Sequence, residues 1–93
     1  MRTIERTTQF KRDYKREMKG RHRASLQAEL TAVLTELMAG RPLAARLRDH
    51  ALTGNWADHR DCHVKPDLVL IYRIVGADTL QLVRLGSHAE LGF

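Results

Sequence analysis

Eight consecutive residues, Leu68–Val75 (LVLIYRIV), constrain the fold of this chain more than any other stretch. They are almost wholly apolar and rich in β-forming side chains, which is typical of a central strand buried on both faces. The sequence therefore predicts a sheet with this segment at its centre.

The neighbouring segments predict an antiparallel meander. Residues 56–64 and 79–85 are predicted strands on either side of the central one, joined to it by turns at 65–67 and 76–78. Pro66 lacks a backbone amide and falls where strand pairing should stop. Such short connections favour antiparallel neighbours. Alternation along the third strand places three side chains on one face: Leu80, Leu82 and Arg84.

The first half of the chain has helical periodicity. A short strand around Ile4 is expected first, although its place in the sheet is left open. Thr7 or Thr8 can then cap a helix that ends near Gly20, with one narrow apolar stripe. Residues 23–39 carry the clearest apolar repeat at helical spacing and predict a second helix. Gly40 suits a left-handed residue at its end, and residues 41–54 are expected to be a loop.

Near the C-terminus, Ser87 and Glu90 have the spacing of a capping box, which predicts a helical turn beginning at His88. The predicted order is β-αα-βββ-α. We therefore expect a single α+β domain over residues 1–93, an antiparallel sheet with a helix hairpin packed on one face.

Positive charge is concentrated at the N-terminus. Residues 1–23 carry nine Lys and Arg against three acids, a balance of +6, whereas the whole chain has a net charge of +5. This asymmetry suggests a polyanionic partner such as nucleic acid, or an acidic protein, with a solvated helix face as the alternative. The chain has no secretory signal, no apolar run of membrane-spanning length and a single cysteine, Cys62. These features predict a cytoplasmic protein.

Three of the five histidines fall between residues 50 and 67. If residues 56–64 form a strand, alternation places His59, Asp61 and His63 on one face. The other face then carries Trp56, Arg60, Cys62 and Val64. His50 precedes this strand, and the more distant His88 begins a helical turn. His22, in the basic turn between the helices, is expected to be a solvated residue.

Histidines with neighbouring acids suit proton transfer near neutral pH. RNA cleavage needs no protein nucleophile, because the 2′-hydroxyl attacks the adjacent phosphate once a base removes its proton. Lys65 or Arg84 are candidates for stabilising charge on the phosphorane. One alternative is a metal site, in which His59, Asp61 and His63 supply the first ligands and His50 and His88 complete the shell. The other alternative is a polar sheet face whose side chains are hydrogen-bonded to one another.

Three motifs make the chain resemble YafQ-type toxins of the RelE/ParE superfamily of toxin–antitoxin systems. That family carries D-H-x-L-x-G-x-W, then R-D-x-H-V-x-P-D-x-[LV]-L-I-Y, and near its end G-[TS]-H. The matching segments here are Asp49–Trp56, Arg60–Tyr72 and Gly86–His88. The basic first helix and the apolar second helix also match, so the resemblance covers essentially the whole chain.

The resemblance implies a ribosome-dependent mRNA interferase, which cuts mRNA in the ribosomal A site, uses no cofactor or metal and is neutralised by a cognate antitoxin. It implies a catalytic set of four residues: His50, His63, Asp67 and His88. His88 would be the proton donor, and His50 or His63, oriented by Asp67, the base. Asp61 would be a supporting acid, and Phe93 is the candidate for a C-terminal aromatic that stacks on a base.

Three positively charged residues of the N-terminal section, Lys11, Lys15 and Lys19, are expected to grip ribosomal RNA phosphates. Three other functions stay open, because the same fold can serve several. One is a non-catalytic, ParE-like toxin that binds a topoisomerase. The others are a metal-dependent hydrolase and a plain nucleic-acid-binding module.

Overall fold

The computed structural model describes residues 1–92; Phe93 lies outside the described residues. The predicted α+β class and element order are confirmed, with one additional two-residue strand. The elements are β1 (Thr3–Arg6), α1 (Thr8–Glu17), α2 (Leu26–Met38), β2 (His50–Ala51), β3 (Arg60–Lys65), β4 (Leu68–Val75), β5 (Thr79–Gly86) and α3 (His88–Leu91). Two short 3-10 turns, Ala45–Leu47 and Gly54–Trp56, flank β2.

The five strands form one sheet in the order β1-β5-β4-β3-β2. The strands β3, β4 and β5 make the predicted antiparallel meander. The first strand, which the sequence left unplaced, runs parallel to β5 and occupies one edge of the sheet. The short strand β2 occupies the opposite edge, where His50 pairs with Asp61 of β3.

The central strand β4 is buried on both faces, as its composition predicts. Its even-numbered residues pack in the main core beneath α1 and α2, with Phe10, Leu26 and Leu30. Val69 and Ile71 point to the other face and pack with Leu91 of α3. The helices thus cover one face, and α3 with nearby loop residues covers part of the other. Among residues 1–92, no helix is both long and apolar enough to cross a membrane.

The ends of α1 and α2 follow the expected chemistry. The Thr7 hydroxyl caps α1 by accepting a hydrogen bond from the Phe10 amide at 3.0 Å. It also donates to the Val83 carbonyl at 2.8 Å, which ties the helix to β5. The helix α2 begins three residues later than predicted, at Leu26, and Gly40 beyond its end has the predicted left-handed conformation, with φ of 71°.

Two strand predictions were wrong at their ends. The strand expected from Trp56 begins at Arg60, because residues 54–56 form a 3-10 turn and Asp58 is left-handed, with φ of 69°. His59 therefore lies outside β3. In β5, a register shift opposite Ile71 and Tyr72 breaks the alternation, so Leu85 rather than Arg84 follows Leu82 into the core.

Candidate active site

His63 and His88 lie side by side, with ring centroids 5.1 Å apart. His63 projects from β3, and His88 is the first residue of α3. The predicted capping box fixes where that helix begins. Ser87 Oγ accepts from the Glu90 amide at 3.1 Å, and Glu90 Oε1 accepts from the Ser87 amide at 2.9 Å.

His50 stands beside Asp61 at the sheet edge, with Nδ1 3.1 Å from Asp61 Oδ1. The same Nδ1 lies 2.8 Å from the Arg48 carbonyl oxygen, which can only accept a hydrogen bond, so Nδ1 donates there. The contact with Asp61 is therefore electrostatic. In the neutral ring, Nε2 is left as the proton acceptor, and 55% of the His50 side chain is exposed.

Asp61 is a buried carboxylate whose charge interacts with His50, His63 and His88. It is 4% exposed, and within residues 1–92 its Oδ1 has no hydrogen-bond partner. Burial raises its pKa, and the positive fields of His50, His63 and His88 act in the opposite direction without cancelling the rise. A buried carboxylate oxygen without a hydrogen bond is a feature of functional sites.

Asp49 anchors the segment that carries His50. Tyr72 of β4 donates its hydroxyl proton to Asp49 Oδ1, and Arg60 donates to both carboxylate oxygens at 3.2 and 3.3 Å. Burial, together with the bond to Asp49, raises the pKa of Tyr72 and keeps its hydroxyl a donor. Sequence reasoning missed this anchor, although Asp49, Arg60 and Tyr72 each belong to the quoted motifs.

A cavity of about 360 Å³ opens beside the two paired histidines. Its lining consists of Arg46, Arg48, His63, Pro66 and His88. The two arginines were not predicted, and their only signal was basic charge just before His50. Arg48 is left-handed, with φ of 51°, a rare conformation for a residue with a side chain. The cavity can receive an anion between imidazoles and guanidinium groups.

Asp67 contacts a different part of the molecule from the one expected. It pairs with Arg21 and lies 3.0 Å from His22 Nε2, both in the connection between α1 and α2. His22 is half-buried there, so its predicted role as a solvated residue was wrong. Among residues 1–92, the ion pairs of Asp67 are therefore with Arg21 and His22, whereas Asp61 lies beside His50.

The predicted RNA-binding cations divide into two groups. Lys65 lies 3.9 Å from Glu29, and Arg84 donates through Nε and Nη2 to Asp13 at 2.7 and 3.2 Å. Those two side chains are engaged within the fold. The predicted lysines of the N-terminal section, Lys11, Lys15 and Lys19, are exposed, and the first two border a groove of about 620 Å³ between α1 and α2.

Two further residues of the histidine-rich stretch, His59 and Cys62, lie apart from His50, His63 and His88. His59 donates from Nδ1 to the Ala57 carbonyl at 3.1 Å and packs edge-on against Trp56. Cys62 is fully buried, and burial raises the pKa of its thiol to about 12, which makes it unreactive. Within the described chain, no three His, Cys, Asp or Glu side chains are grouped to hold a metal ion.

The sequence and the fold resemble those of known toxins. The model of the family described as "Bacterial toxin of type II toxin-antitoxin system, YafQ" matches residues 2–92. The mRNA interferase toxin YafQ of Escherichia coli K12 is 46% identical over 50 residues, which are 54% of this chain and 53% of that protein. The sequence match thus spans about half the length of this curated relative.

Two solved structures extend the likeness to the whole chain. A copper-bound variant of a toxin from Helicobacter pylori is 35% identical with a TM-score of 0.84, covering 98% of this chain and 99% of that one. The toxin in the E. coli DinJ–YafQ toxin–antitoxin complex is 37% identical with a TM-score of 0.82, covering 97% and 96%.

The five-stranded sheet with its helices on one face is thus the fold of a toxin of the type II toxin–antitoxin class. Within that class, the chain belongs to the YafQ family, whose model matches nearly all of it. The family resemblance found in the sequence is confirmed.

Proposed function

We propose that this chain is the toxin of a type II toxin–antitoxin system, an endoribonuclease that cleaves mRNA in the ribosomal A site and so inhibits translation. The observation that carries the proposal is the pairing of His63 and His88 in a cavity that two arginines also line. The name of the E. coli relative, an mRNA interferase toxin, supports the same reaction.

The reaction needs two proton transfers and no covalent bond to the protein. A base removes the proton of the 2′-hydroxyl, and the 2′-oxygen forms a bond to the adjacent phosphorus. The bond from phosphorus to the 5′-oxygen breaks, and an acid protonates that oxygen. The products are a 2′,3′-cyclic phosphate and a 5′-hydroxyl. Each proton transfer by a positioned side chain is worth about 10²- to 10⁴-fold in rate.

His50 is the base in this proposal and His88 the acid. The bond from Nδ1 of His50 to the Arg48 carbonyl leaves Nε2 to accept the proton, and Asp61 stabilises the imidazolium that forms. This arrangement has the roles of a base and its orienting acid. His88 protonates the departing 5′-oxygen. His63, beside His88, holds a non-bridging oxygen of the phosphate or relays a proton.

Charge that develops on the phosphorane is stabilised by Arg46 and Arg48 in this proposal. Both line the cavity, whereas Arg84 is held by Asp13. Preorganised cations aimed at the position where charge develops stabilise the transition state. Lys65, near the turn before β4, remains a candidate contact to the RNA backbone. Asp67 would act by fixing the α1–α2 connection beside the site.

The proposed partners are a cognate antitoxin, the ribosome and mRNA, all in the cytoplasm. The E. coli relative was solved in complex with DinJ, which supports an antitoxin partner for this chain. The exposed lysines of the N-terminal section supply the charge that ribosomal RNA would contact.

The test is cleavage in a purified translation system in which mRNA 5′ ends are mapped. The wild-type protein should cut only ribosome-bound mRNA, and His88→Ala should abolish the cuts. Growth arrest that survives both His63→Ala and His88→Ala, without cleavage, would instead favour a topoisomerase-binding toxin.

An arm with excess chelator addresses the metal-dependent alternative, which the copper-bound H. pylori relative makes worth testing. We expect cleavage to persist there.

A further inference from the structure

We propose that Arg16 of α1 is a positioning residue for His88, acting through Glu90 and made possible by Gly86. This inference rests on the proposed function, because it assigns the structural support of the proposed acid. It also gives a role to Gly86, two residues before His88.

Arg16 joins three elements around the start of α3. Its Nη2 donates to the Leu85 carbonyl at 2.8 Å, at the end of β5. Its Nη1 donates to Asp13 at 2.9 Å within α1. Its Nε donates to Glu17 at 3.0 Å and also lies 3.0 Å from Glu90 Oε2 in α3. One guanidinium thus links both sides of the segment that leads into His88. A planar fork of donors suits such a junction, and a lysine would not reproduce it.

Asp13 keeps the guanidinium of Arg16 in place. This carboxylate is 2% exposed and also accepts bonds from Arg84 and from the Leu85 amide at 2.9 Å. Because its other partners belong to β5, Asp13 is fixed to the sheet as well as to α1. Arg16 is therefore held against the end of β5 through Asp13 and the Leu85 carbonyl, and its Nε faces Glu90 of α3.

Glu90 has two roles that the geometry separates. Its Oε1 accepts from the Ser87 amide and completes the capping box, while its Oε2 faces Arg16. A glutamine at this position keeps a carbonyl oxygen for the cap and loses the charge that pairs with Arg16. Glu90→Gln therefore separates the cap from the ion pair.

Gly86 leaves the space that this arrangement needs. A Cβ atom at residue 86 would lie 2.9 Å from Arg16 Nη2 and 3.2 Å from Glu90 Oε1. Both distances are shorter than ordinary contacts, so any larger residue would push the two side chains away from their partners. Alanine at residue 86 would therefore displace the ends of the Arg16 and Glu90 side chains from the positions in which they pair.

The position of His88 depends on the Arg16–Glu90 pair because α3 is short and mostly exposed. The helix has four residues, and of these only Leu91 is buried. The ring of His88 lies on the outer part of the molecule, beside the cavity. A shift of about 1 Å in a catalytic group can lower a rate by about 10²-fold. Loss of the Arg16–Glu90 link should therefore lower the rate of cleavage and leave ribosome binding unchanged.

The experiment compares Arg16→Gln, Glu90→Gln and the double variant with the wild-type protein. Cleavage of ribosome-bound mRNA gives kcat and KM, and histidine NMR follows the chemical shift of the His88 ring. Each single variant should lower kcat about 10-fold at unchanged KM and move the His88 resonance. The double variant should lose no more than the single ones, since both remove the same link.

The exposed pair Arg41 and Glu36 supplies matched controls, Arg41→Gln and Glu36→Gln, which should keep the wild-type kcat. Gly86→Ala, in a protein that keeps Arg16 and Glu90, should lower kcat as the Arg16→Gln and Glu90→Gln variants do. Thermal melts of each variant show which ones are folded, and only those are compared. A wild-type kcat and His88 shift in Glu90→Gln and Gly86→Ala would overturn the inference. The NMR measurement does not depend on cleavage. If the protein proved not to be a nuclease, the His88 shifts would still show whether Arg16 and Glu90 position this ring.

Discussion

His63 and His88 meet because residues in three neighbouring strands lie side by side. His63 of β3 pairs with Val69 of β4, and Val69 pairs with Gly86 of β5, two residues before His88. Adjacent strands lie about 4.8 Å apart, so this row delivers the start of α3 to the edge where His63 projects. The 5.1 Å separation of the rings is a consequence of strand register.

The first prediction concerns these two rings. His63→Gln and His88→Gln should each lower mRNA cleavage by about 10²- to 10⁴-fold, because glutamine keeps a polar side chain and loses the titrating group. The rate of cleavage in the purified translation system is the measurement. His59→Gln is the control, because His59 contacts Ala57 and Trp56 and stands outside the cluster. Equal activity in all three variants would contradict a catalytic role.

The second prediction is that Asp61→Asn makes the protein more stable and less active. The pKa of Asp61 is raised in the folded state, so the folded protein binds this proton more tightly than the unfolded chain does. The resulting penalty on folding is absent below the ordinary value of 3.8 and grows as the pH rises above it. Asparagine removes that penalty, so Tm should rise at pH 7.

The activity of Asp61→Asn should fall by at least about 10-fold, since the carboxylate no longer stabilises positive charge on His50. Melting curves at pH 7 and pH 3.5, together with cleavage rates at pH 7, are the measurements. The gain in Tm should shrink at pH 3.5. A lower Tm at pH 7 would show that the carboxylate stabilises the fold.

The third prediction separates two arginines. Arg48→Gln should lower kcat by about 10²-fold and leave the melting temperature unchanged, because Arg48 lines the cavity on an exposed loop. Arg84→Gln should instead lower the free energy of unfolding by about 2 kcal/mol, since it removes charged hydrogen bonds to buried Asp13. Arg41→Gln is the control for both. A loss of kcat in folded Arg84→Gln as large as that of Arg48→Gln would support the RNA contact that the sequence suggests for Arg84.

The sequence predicted those parts of the fold that local chemistry determines. The capping threonine, the capping box and the apolar strand each depend on neighbours a few residues away, and all three are confirmed. The position of β1 was not predictable, because a short exposed strand has no pattern that distinguishes one sheet edge from another. The strand β2 has two residues, too few for any periodicity.

For the site, the motif residues identified the histidines, but the partners of the acids depend on three-dimensional packing. Asp67 is near His63 in sequence, yet it pairs with Arg21 and His22 from a distant turn. Asp61 was given a supporting role and lies beside His50, because β2 folds back along β3. Arg46 and Arg48 reach the cavity from a loop, where sequence spacing carries no information about direction.

The fourth prediction is a loss of stability in acid that depends on Asp13. Burial raises the pKa of Asp13, but bonds from Arg84, the Leu85 amide and Arg16 outweigh it and hold that pKa below its ordinary value of 3.8. The stabilisation is therefore fully present above pH 3.8 and disappears as the pH falls through the lower, folded-state pKa. Asp13→Asn should be less stable by about 2 kcal/mol at pH 7. Urea unfolding at several pH values should show this difference shrinking below pH 3.8; a constant difference would contradict it.

The fifth prediction tests the basic N-terminal section. Replacing Lys11, Lys15 and Lys19 with alanine should weaken binding to ribosomes, and the loss should be largest at low salt, because phosphate contacts release counterions. Binding to purified ribosomes at about 50 and 200 mM salt gives the slope, which should decrease in the triple variant. kcat at saturating ribosome should stay at the wild-type value, since Lys11 and Lys15 border the groove between α1 and α2 and none of the three lysines lines the cavity beside His63 and His88. Binding unchanged at both salt concentrations would show that these lysines are only a solvated surface.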